Sequence, residues 1–228
     1  MFDRLKKVFA RARPDSQQKS VPPDAVSEWA GTQGFGYSGQ GTGQGFVLTG
    51  KVRGKAWKLE SGASSRDYIH GGELRARADL GIHPDAAVLI MNHALKELLE
   101  KRAYEIYTDT LQTTAEPSLL EEMRWLAMYQ EVGWTGLVPE FWERYTVLAD
   151  QREHALAWID NNLAELLLSW PTPGPDAQTP FILMLLRGKA YLRMQHNPAD
   201  IATLQHAAVI YTSACDAALA GLSTDIPL

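Results

Sequence analysis

Several signatures of familiar protein classes are missing from this chain of 228 residues. Cys215 is its one cysteine, so an internal disulfide is excluded and a reducing compartment is expected. No apolar run reaches the roughly 18 residues that span a bilayer. Charges also interrupt the apolar residues at the N-terminus, where a secretory signal would have a continuous apolar core. We therefore expect a cytoplasmic protein.

The motifs of nucleotide chemistry are also missing. Every Gly-Lys pair, such as Gly54-Lys55, is followed by Val or Ala, which excludes a P-loop. Gly34-x-Gly36-x-x-Gly39 matches the dinucleotide fingerprint, but an expected strand follows it where a helix is required. The same glycine tract resembles a protein kinase glycine loop, yet the kinase His-Arg-Asp and Asp-Phe-Gly motifs are absent. Because these nucleotide-binding motifs are absent or incomplete, we predict no cofactor.

Catalytic and metal-binding patterns are equally sparse. Cys215 lies among alanines on an expected helix, which favours a buried thiol over a nucleophile. His93 and Glu97 lie one helical turn apart, but no repeated pattern adds the further ligands of a metal site. We predict no catalytic residue and no metal site.

Charge is unevenly distributed along the chain. The net charge is -5, and residues 1–13 contribute +4, which leaves -9 on the remainder. An acidic body repels phosphate, so nucleic-acid binding is not expected unless the fold forms a local basic face.

The first 13 residues form a pattern typical of a basic amphipathic helix. Apolar residues recur at helical spacing, and lysines interrupt them. The candidate interfacial residues of this N-terminal arm are Phe2, Leu5, Lys6, Lys7 and Phe9. The arm is expected to lie on an anionic membrane surface, to dock on an acidic partner, or to pack on its own protein. A mitochondrial targeting segment is a further alternative.

Residues 14–45 are rich in Pro, Ser, Gln and Gly, which predicts a linker with little helix or strand. Trp29 within it is expected to dock on the body of the protein. Backbone amides of the glycine tract, including Gly41 and Gly43, are a candidate anion cradle. A plain flexible linker is the alternative.

Two segments resemble each other closely: 46–59 and 181–193 each place an apolar triplet before Arg-Gly-Lys-Ala and an aromatic residue after it. The pattern predicts two β-hairpins that turn at Gly54 and Gly188. The first hairpin alternates and is expected to have one solvated face, whereas the second is apolar on both faces, as in a central strand. We predict related hairpin-plus-helix units at about 46–102 and 180–220.

Helices are expected between and after these units. We predict one helix that includes Val88 and Leu99, one from Pro117 to Val132, a long one from Pro139 to before Pro171, and a last one from Asp200 to Leu219. Residues 103–111 favour a strand, with a continued helix as the alternative. The fold class is therefore α+β. A single domain at 46–228 has an antiparallel sheet, which long tryptophan-containing helices at 117–170 cover.

The best polar candidate is the run from Glu73 to Asp79. Strand alternation would direct Glu73, Arg75, Arg77 and Asp79 to one side. These charges are expected either to pair across the sheet or to form a cleft in which Arg75 and Arg77 bind a carboxylate or phosphate.

The missing catalytic patterns, the acidic body and the basic arm favour a non-catalytic cytoplasmic protein-interaction module of the adaptor, chaperone or inhibitor type. We expect a protein partner, with the arm as a peripheral membrane contact. The alternative is an anion- or nucleotide-binding module that uses the glycine tract or the Arg75 and Arg77 cleft.

Overall fold

The computed structural model describes residues 23–40, 45–110 and 120–223. The elements in chain order are α1 (Pro23–Thr32), β1 (Gly36–Gly39), β2 (Phe46–Val52), β3 (Lys55–Ala63), β4 (Gly72–Asp79), β5 (Val88–Asn92), α2 (His93–Thr110), α3 (Glu121–Met128), β6 (Gln130–Glu131), α4 (Pro139–Arg144), β7 (Tyr145–Ala149), α5 (Arg152–Trp158), α6 (Asn161–Leu168), β8 (Phe181–Leu186), β9 (Lys189–His196) and α7 (Ile201–Gly221).

The strands form a single nine-stranded sheet in the order β1-β2-β3-β4-β9-β8-β5-β7-β6. Every neighbouring pair is antiparallel. The α+β class and the antiparallel sheet predicted from the sequence are confirmed.

Helices cover the two faces of the sheet unequally. On the first face, α4 to α7 pack over the larger core, which includes Trp158 and Tyr211. On the second face, α2 and α3 pack over the part of the sheet formed by β5, β7 and β8, where Leu89, Met123 and Met184 form a smaller core. Strand alternation explains the division, because successive residues of β8 point to opposite cores.

Both Arg-Gly-Lys-Ala segments form two-residue hairpin turns, as predicted. Arg53 and Gly54 connect β2 to β3 with φ of 44° and 80°, and Arg187 and Gly188 connect β8 to β9 with φ of 53° and 74°. Positive φ at both central residues is the geometry of a type I′ turn, which matches the twist of the flanking strands. In the sheet, β4 alone separates the two hairpins. The relation between the two hairpin-plus-helix units remains a prediction.

The predicted helix that includes Val88 was wrong over its first five residues. Val88–Asn92 is a fully buried strand between β7 and β8, and the helix begins at His93. A short apolar run that is buried on both sides has no period that separates strand from helix. The strand favoured for residues 103–111 was also wrong, because 103–110 continue α2.

The long helix predicted from Pro139 is interrupted. Tyr145–Ala149 is a buried strand, and α4, α5 and α6 are short helices around it. The preceding helix is also shorter than predicted, since α3 ends at Met128 and β6 follows. The last helix begins after Asp200, whose carboxylate accepts a hydrogen bond from the Thr203 amide as an N-cap.

Part of the stretch interpreted as a linker is ordered secondary structure. Residues 23–39 contain α1 and β1, and Trp29 packs on the larger core with its ring 5.8 Å from that of Phe35. Composition alone underestimated the structure here because two aromatic side chains bury against the body. The Gln40 amide, just after β1, donates to the Gly45 carbonyl, just before β2. Gly41, Gly43 and the N-terminal arm lie outside the described residues.

Candidate functional site

A group of charged side chains lies on the second face of the sheet, beside the part that α2 and α3 cover. We call this surface the basic face. Its residues are Lys51, Lys58, Glu60, Arg75, Arg77, Asp79 and Lys189. Their strand neighbours, such as Leu48, Leu59, Ala76 and Leu192, point into the larger core instead. Strand alternation therefore sorts charge to one side and apolar groups to the other.

The structure brings Arg75 and Arg77 onto one face, as alternation required. A guanidinium nitrogen of Arg75 lies 3.7 Å from a carboxylate oxygen of its cross-strand neighbour Glu60. The guanidinium of Arg77 lies 5.9 Å from the ring centre of its cross-strand neighbour Tyr191. Cross-strand pairing, one of the two expectations for this run, is thus present for Arg75. Anion binding by the two arginines remains a proposal.

The basic face has a charge opposite to that of the whole chain. Five cationic residues and two carboxylates give it a net charge of +3, whereas the chain carries -5. Such a face is not visible in the sequence, because its residues come from four strands.

A pocket of about 240 Å³ adjoins this face, between α3 and the β8–β9 hairpin; we call it the α3 pocket. Its lining residues are Arg66, Glu121, Arg124, Trp125, Met128, Tyr129, Met184, Leu186, Arg187, Tyr191 and Arg193. Arginines and large apolar side chains dominate this lining. The pocket is therefore suited to an anionic group attached to an apolar body.

A buried carboxylate organises two of these arginines. The side chain of Glu122 on α3 is fully buried, and its Oε1 accepts hydrogen bonds from Arg66 Nε at 2.7 Å and from the Tyr68 hydroxyl at 2.9 Å. Arg193 of β9 also donates to Oε1. Within the described part of the chain, Glu122 Oε2 is buried without a hydrogen-bond partner.

Opposing effects act on the ionisation of Glu122. Burial alone would raise its pKa, but the hydrogen bonds from Arg66 and from the Glu122 backbone, with the charge of Arg193, lower the pKa below its ordinary value. The carboxylate is therefore ionised at neutral pH. Burial, followed by the charge of Glu122, raises the pKa of Tyr68, so its hydroxyl stays protonated.

A second carboxylate holds Arg193 from the β4 side. Glu73 is buried, and its Oε1 lies 2.8 Å from Arg193 Nε. The Ser65 amide and hydroxyl donate to Glu73 at 2.6 Å and 3.1 Å. Glu73 therefore has a structural role within the polar run that includes Arg75 and Arg77.

Sequence reasoning missed the central members of this cluster. Glu122 is separated from Arg66 by 56 residues and from Arg193 by 71. The alternation of Tyr191, Arg193 and Gln195 along β9 was an available signal for a polar strand face. No local pattern, however, connected Glu122 to that face.

A second cavity, of about 400 Å³, lies between α1 and α7. We call it the α1–α7 groove, and its lining, which includes Trp29, Phe35, His206 and Val209, contains no Asp, Glu, Lys or Arg. The His206 ring is anchored, because its Nε2 lies 2.8 Å from the Leu166 carbonyl oxygen. The groove thus offers apolar surface without a charged group.

The other candidate reactive groups have structural surroundings. Cys215 is buried, and burial raises the pKa of its thiol to about 12. Residues 23–40, 45–110 and 120–223 contain no cluster of three or more His, Cys, Asp or Glu side chains suited to a metal ion. In the same ranges, no helix has the length and apolar character needed to cross a membrane.

No family model matches the sequence, and no curated protein matches it. Among solved structures, the chain is similar to the crystal structure of the mycobacterial trehalose monomycolate transport factor A, TtfA, with a TM-score of 0.48 and 12% identity. The similarity covers 90% of this chain and 98% of that chain. A likeness at this level does not show a shared function.

Proposed function

We propose that this protein is a non-catalytic interaction module of the adaptor, chaperone or inhibitor type, which binds an acidic segment of a partner protein on its basic face. The observation that carries the proposal is the segregation of charge: a face of net charge +3 on a chain of net charge -5. Complementary charge steers association and selects among partners.

The spacing of charges favours a protein partner over a nucleic acid. Glu60 and Asp79 interrupt the cations, and Asp79 lies 3.5 Å from Lys189. A continuous phosphate backbone would meet these carboxylates at close range, whereas a protein segment can present acidic and neutral side chains in alternation. The adjoining α3 pocket has an apolar lining that suits a protein side chain.

A capture experiment tests this proposal. Full-length protein and an Arg75→Glu/Arg77→Glu variant would be used as bait in extracts of the native host, with bound proteins quantified. We expect the variant to lose an acidic partner that the wild type retains, and the interaction to weaken as salt increases.

A matched control has the same change in charge elsewhere. Lys55→Glu/Lys101→Glu replaces two exposed lysines outside the basic face, and it should retain the partner. Equal loss of the partner by both variants would show that the change in net charge, and not its place on the basic face, weakens binding. Specific retention of nucleic acid through Arg75 and Arg77 would overturn the proposal.

The cytoplasmic location and the tethering role of residues 1–13 belong to the same proposal. Their apolar and basic residues support weak binding to anionic lipid. Sedimentation with phosphatidylserine vesicles should recover more of the full-length protein than of a variant lacking residues 1–13. Equal recovery would remove the tether from the proposal.

The alternative function is binding of a small anion, which the arginines of the α3 pocket support. Thermal-shift measurements with nucleotides and phosphorylated metabolites separate it from the first proposal. A melting temperature that rises with ligand concentration supports an anion-binding module, and uniformly unchanged values exclude these compounds as tight ligands.

A further inference from the structure

We infer that the α3 pocket is an anchor site for one aromatic or long aliphatic side chain of an acidic peptide segment, with the adjacent carboxylates of that segment held by the arginines at its rim. The inference rests on the proposed function, and it identifies the chemistry that the partner must present.

The size of the pocket favours a single side chain. Its volume of about 240 Å³ is below the roughly 300–1,000 Å³ typical of sites for drug-sized ligands. Interfaces between proteins concentrate binding energy in pockets that receive one large anchor residue. The occupant is therefore expected to be part of a longer segment.

The lining supplies apolar contact for that anchor. Trp125 and Leu186 are almost fully buried, whereas Met128 is 68% exposed at the rim. An exposed thioether is apolar and flexible, so it can close over a bound group. Met128 therefore exposes apolar surface beside the buried residues, and a bound partner would remove that surface from water.

The rim supplies positive charge in a fixed arrangement. Glu122 and Glu73 bind the guanidinium of Arg193, and Glu122 also binds that of Arg66. Ordering in advance reduces the conformational entropy that these side chains lose when a ligand binds. Arg187 is exposed at the hairpin turn. The four lining arginines outweigh Glu121 and the underlying Glu122 and Glu73 and give a net charge of +1.

The pocket and the basic face are continuous. Tyr191 and Arg193 line the pocket, and they are the direct cross-strand neighbours of Arg77 and Arg75. Neighbouring antiparallel strands lie about 5 Å apart. One extended acidic segment can therefore insert an anchor residue and continue across the basic face.

Three capped pentapeptides test the inference: Asp-Glu-Phe-Glu-Asp, Asp-Glu-Ala-Glu-Asp and Lys-Lys-Phe-Lys-Lys. Each would be titrated into the isotope-labelled full-length chain while amide chemical shifts are recorded. We expect the acidic phenylalanine peptide to shift the signals of α3 and of the β8–β9 turn. It should bind about tenfold more tightly than the alanine peptide, since burial of the ring adds apolar contact. The basic peptide should not bind there.

Variants at exposed positions locate the effect. Met128→Asp should reduce the preference for phenylalanine, and Met128→Leu should retain it. Arg187→Ala should weaken the binding of both acidic peptides, because both lose a partner for their carboxylates. Circular dichroism and thermal melts would confirm that each variant is folded.

Equal affinities for the two acidic peptides, absence of binding by both, or phenylalanine-dependent shifts confined to the α1–α7 groove would each overturn the anchor site. The proposed function is judged separately, by the capture experiment with the Arg75→Glu/Arg77→Glu variant and its control. If the capture experiment supports the proposed function but the two acidic peptides bind equally, recognition would depend on the basic face alone.

Discussion

Arg66, in the loop before β4, donates a hydrogen bond from Nε to Oε1 of the buried Glu122 on α3 at a distance of 2.7 Å. This contact attaches α3 to the sheet beside the α3 pocket. Removal of one partner of a buried ion pair leaves the other charge without compensation, which costs more than the pair itself contributes.

Glu122→Gln should therefore destabilise the protein. The amide cannot compensate the charges of Arg66 and Arg193, and we expect a loss of about 3 kcal/mol in the free energy of unfolding. Urea denaturation measures the loss. Glu121→Gln, at the exposed neighbouring position, is the matched control and should change stability by less than about 0.5 kcal/mol. Equal effects of the two substitutions would contradict the structural role of Glu122.

Stability should also depend on pH through Glu122. Its pKa is lower in the folded state than in the unfolded chain, where a Glu titrates at about 4.3. Its contribution is therefore complete above the unfolded pKa and is lost as pH falls through the folded pKa. Between about pH 5 and pH 3, the wild type should lose more stability than Glu122→Gln. Parallel curves for the two proteins would show that other carboxylates dominate acid unfolding.

The two hairpin turns provide a matched pair of glycine substitutions. Gly54→Ala and Gly188→Ala each place a Cβ at positive φ, at a cost of about 1–2 kcal/mol. An added Cβ at Gly188 would also lie 3.1 Å from the Ile82 carbonyl oxygen, whereas nothing lies within 4 Å of one at Gly54. Thermal denaturation should therefore show the larger loss for Gly188→Ala. The reverse order would contradict the close approach of Ile82.

Asn92 connects the end of β5 to the segment before β8. Its side-chain amide donates to the Ala177 and Thr179 carbonyls at 2.8 Å and 3.1 Å, and its Oδ1 accepts from the Phe181 amide at 3.1 Å. Asn92→Ala should cost about 3 kcal/mol, because backbone groups would lose buried partners. Asn162→Ala, at an exposed position of α6, is the control. Chemical denaturation compares them, and similar values would refute the role of Asn92.

Cys215 should react slowly with thiol reagents in the native protein. Burial raises the pKa of its thiol to about 12, so little thiolate exists near pH 8. Labelling with a disulfide reagent should be slow in buffer and complete in denaturing urea. Rapid labelling of the folded chain would contradict this environment.

Some features of the fold were accessible from local sequence. Arg-Gly turns between apolar runs predicted both hairpins, because turn geometry acts over a few residues. Asp200 indicated the start of α7 for the same reason, since an N-cap bonds to amides within one turn.

Other features required the assembled fold. Val88–Asn92 and Tyr145–Ala149 resemble buried helix and buried strand equally well. The pairing of these two segments with each other, of Val88–Asn92 with β8 and of Tyr145–Ala149 with β6 selects the strand. The neighbours of Arg75 and Arg77 were likewise open, since they come from other strands.

The sequence by itself determined the hairpin turns, the start of the last helix and the alternation that directs Arg75 and Arg77 to one side. Only the tertiary structure placed Tyr191 and Arg193 beside those two residues and Glu122 against Arg193. The physical reason is that these contacts join segments distant in the chain. No local pattern encodes them, and burial in the assembled core selects them.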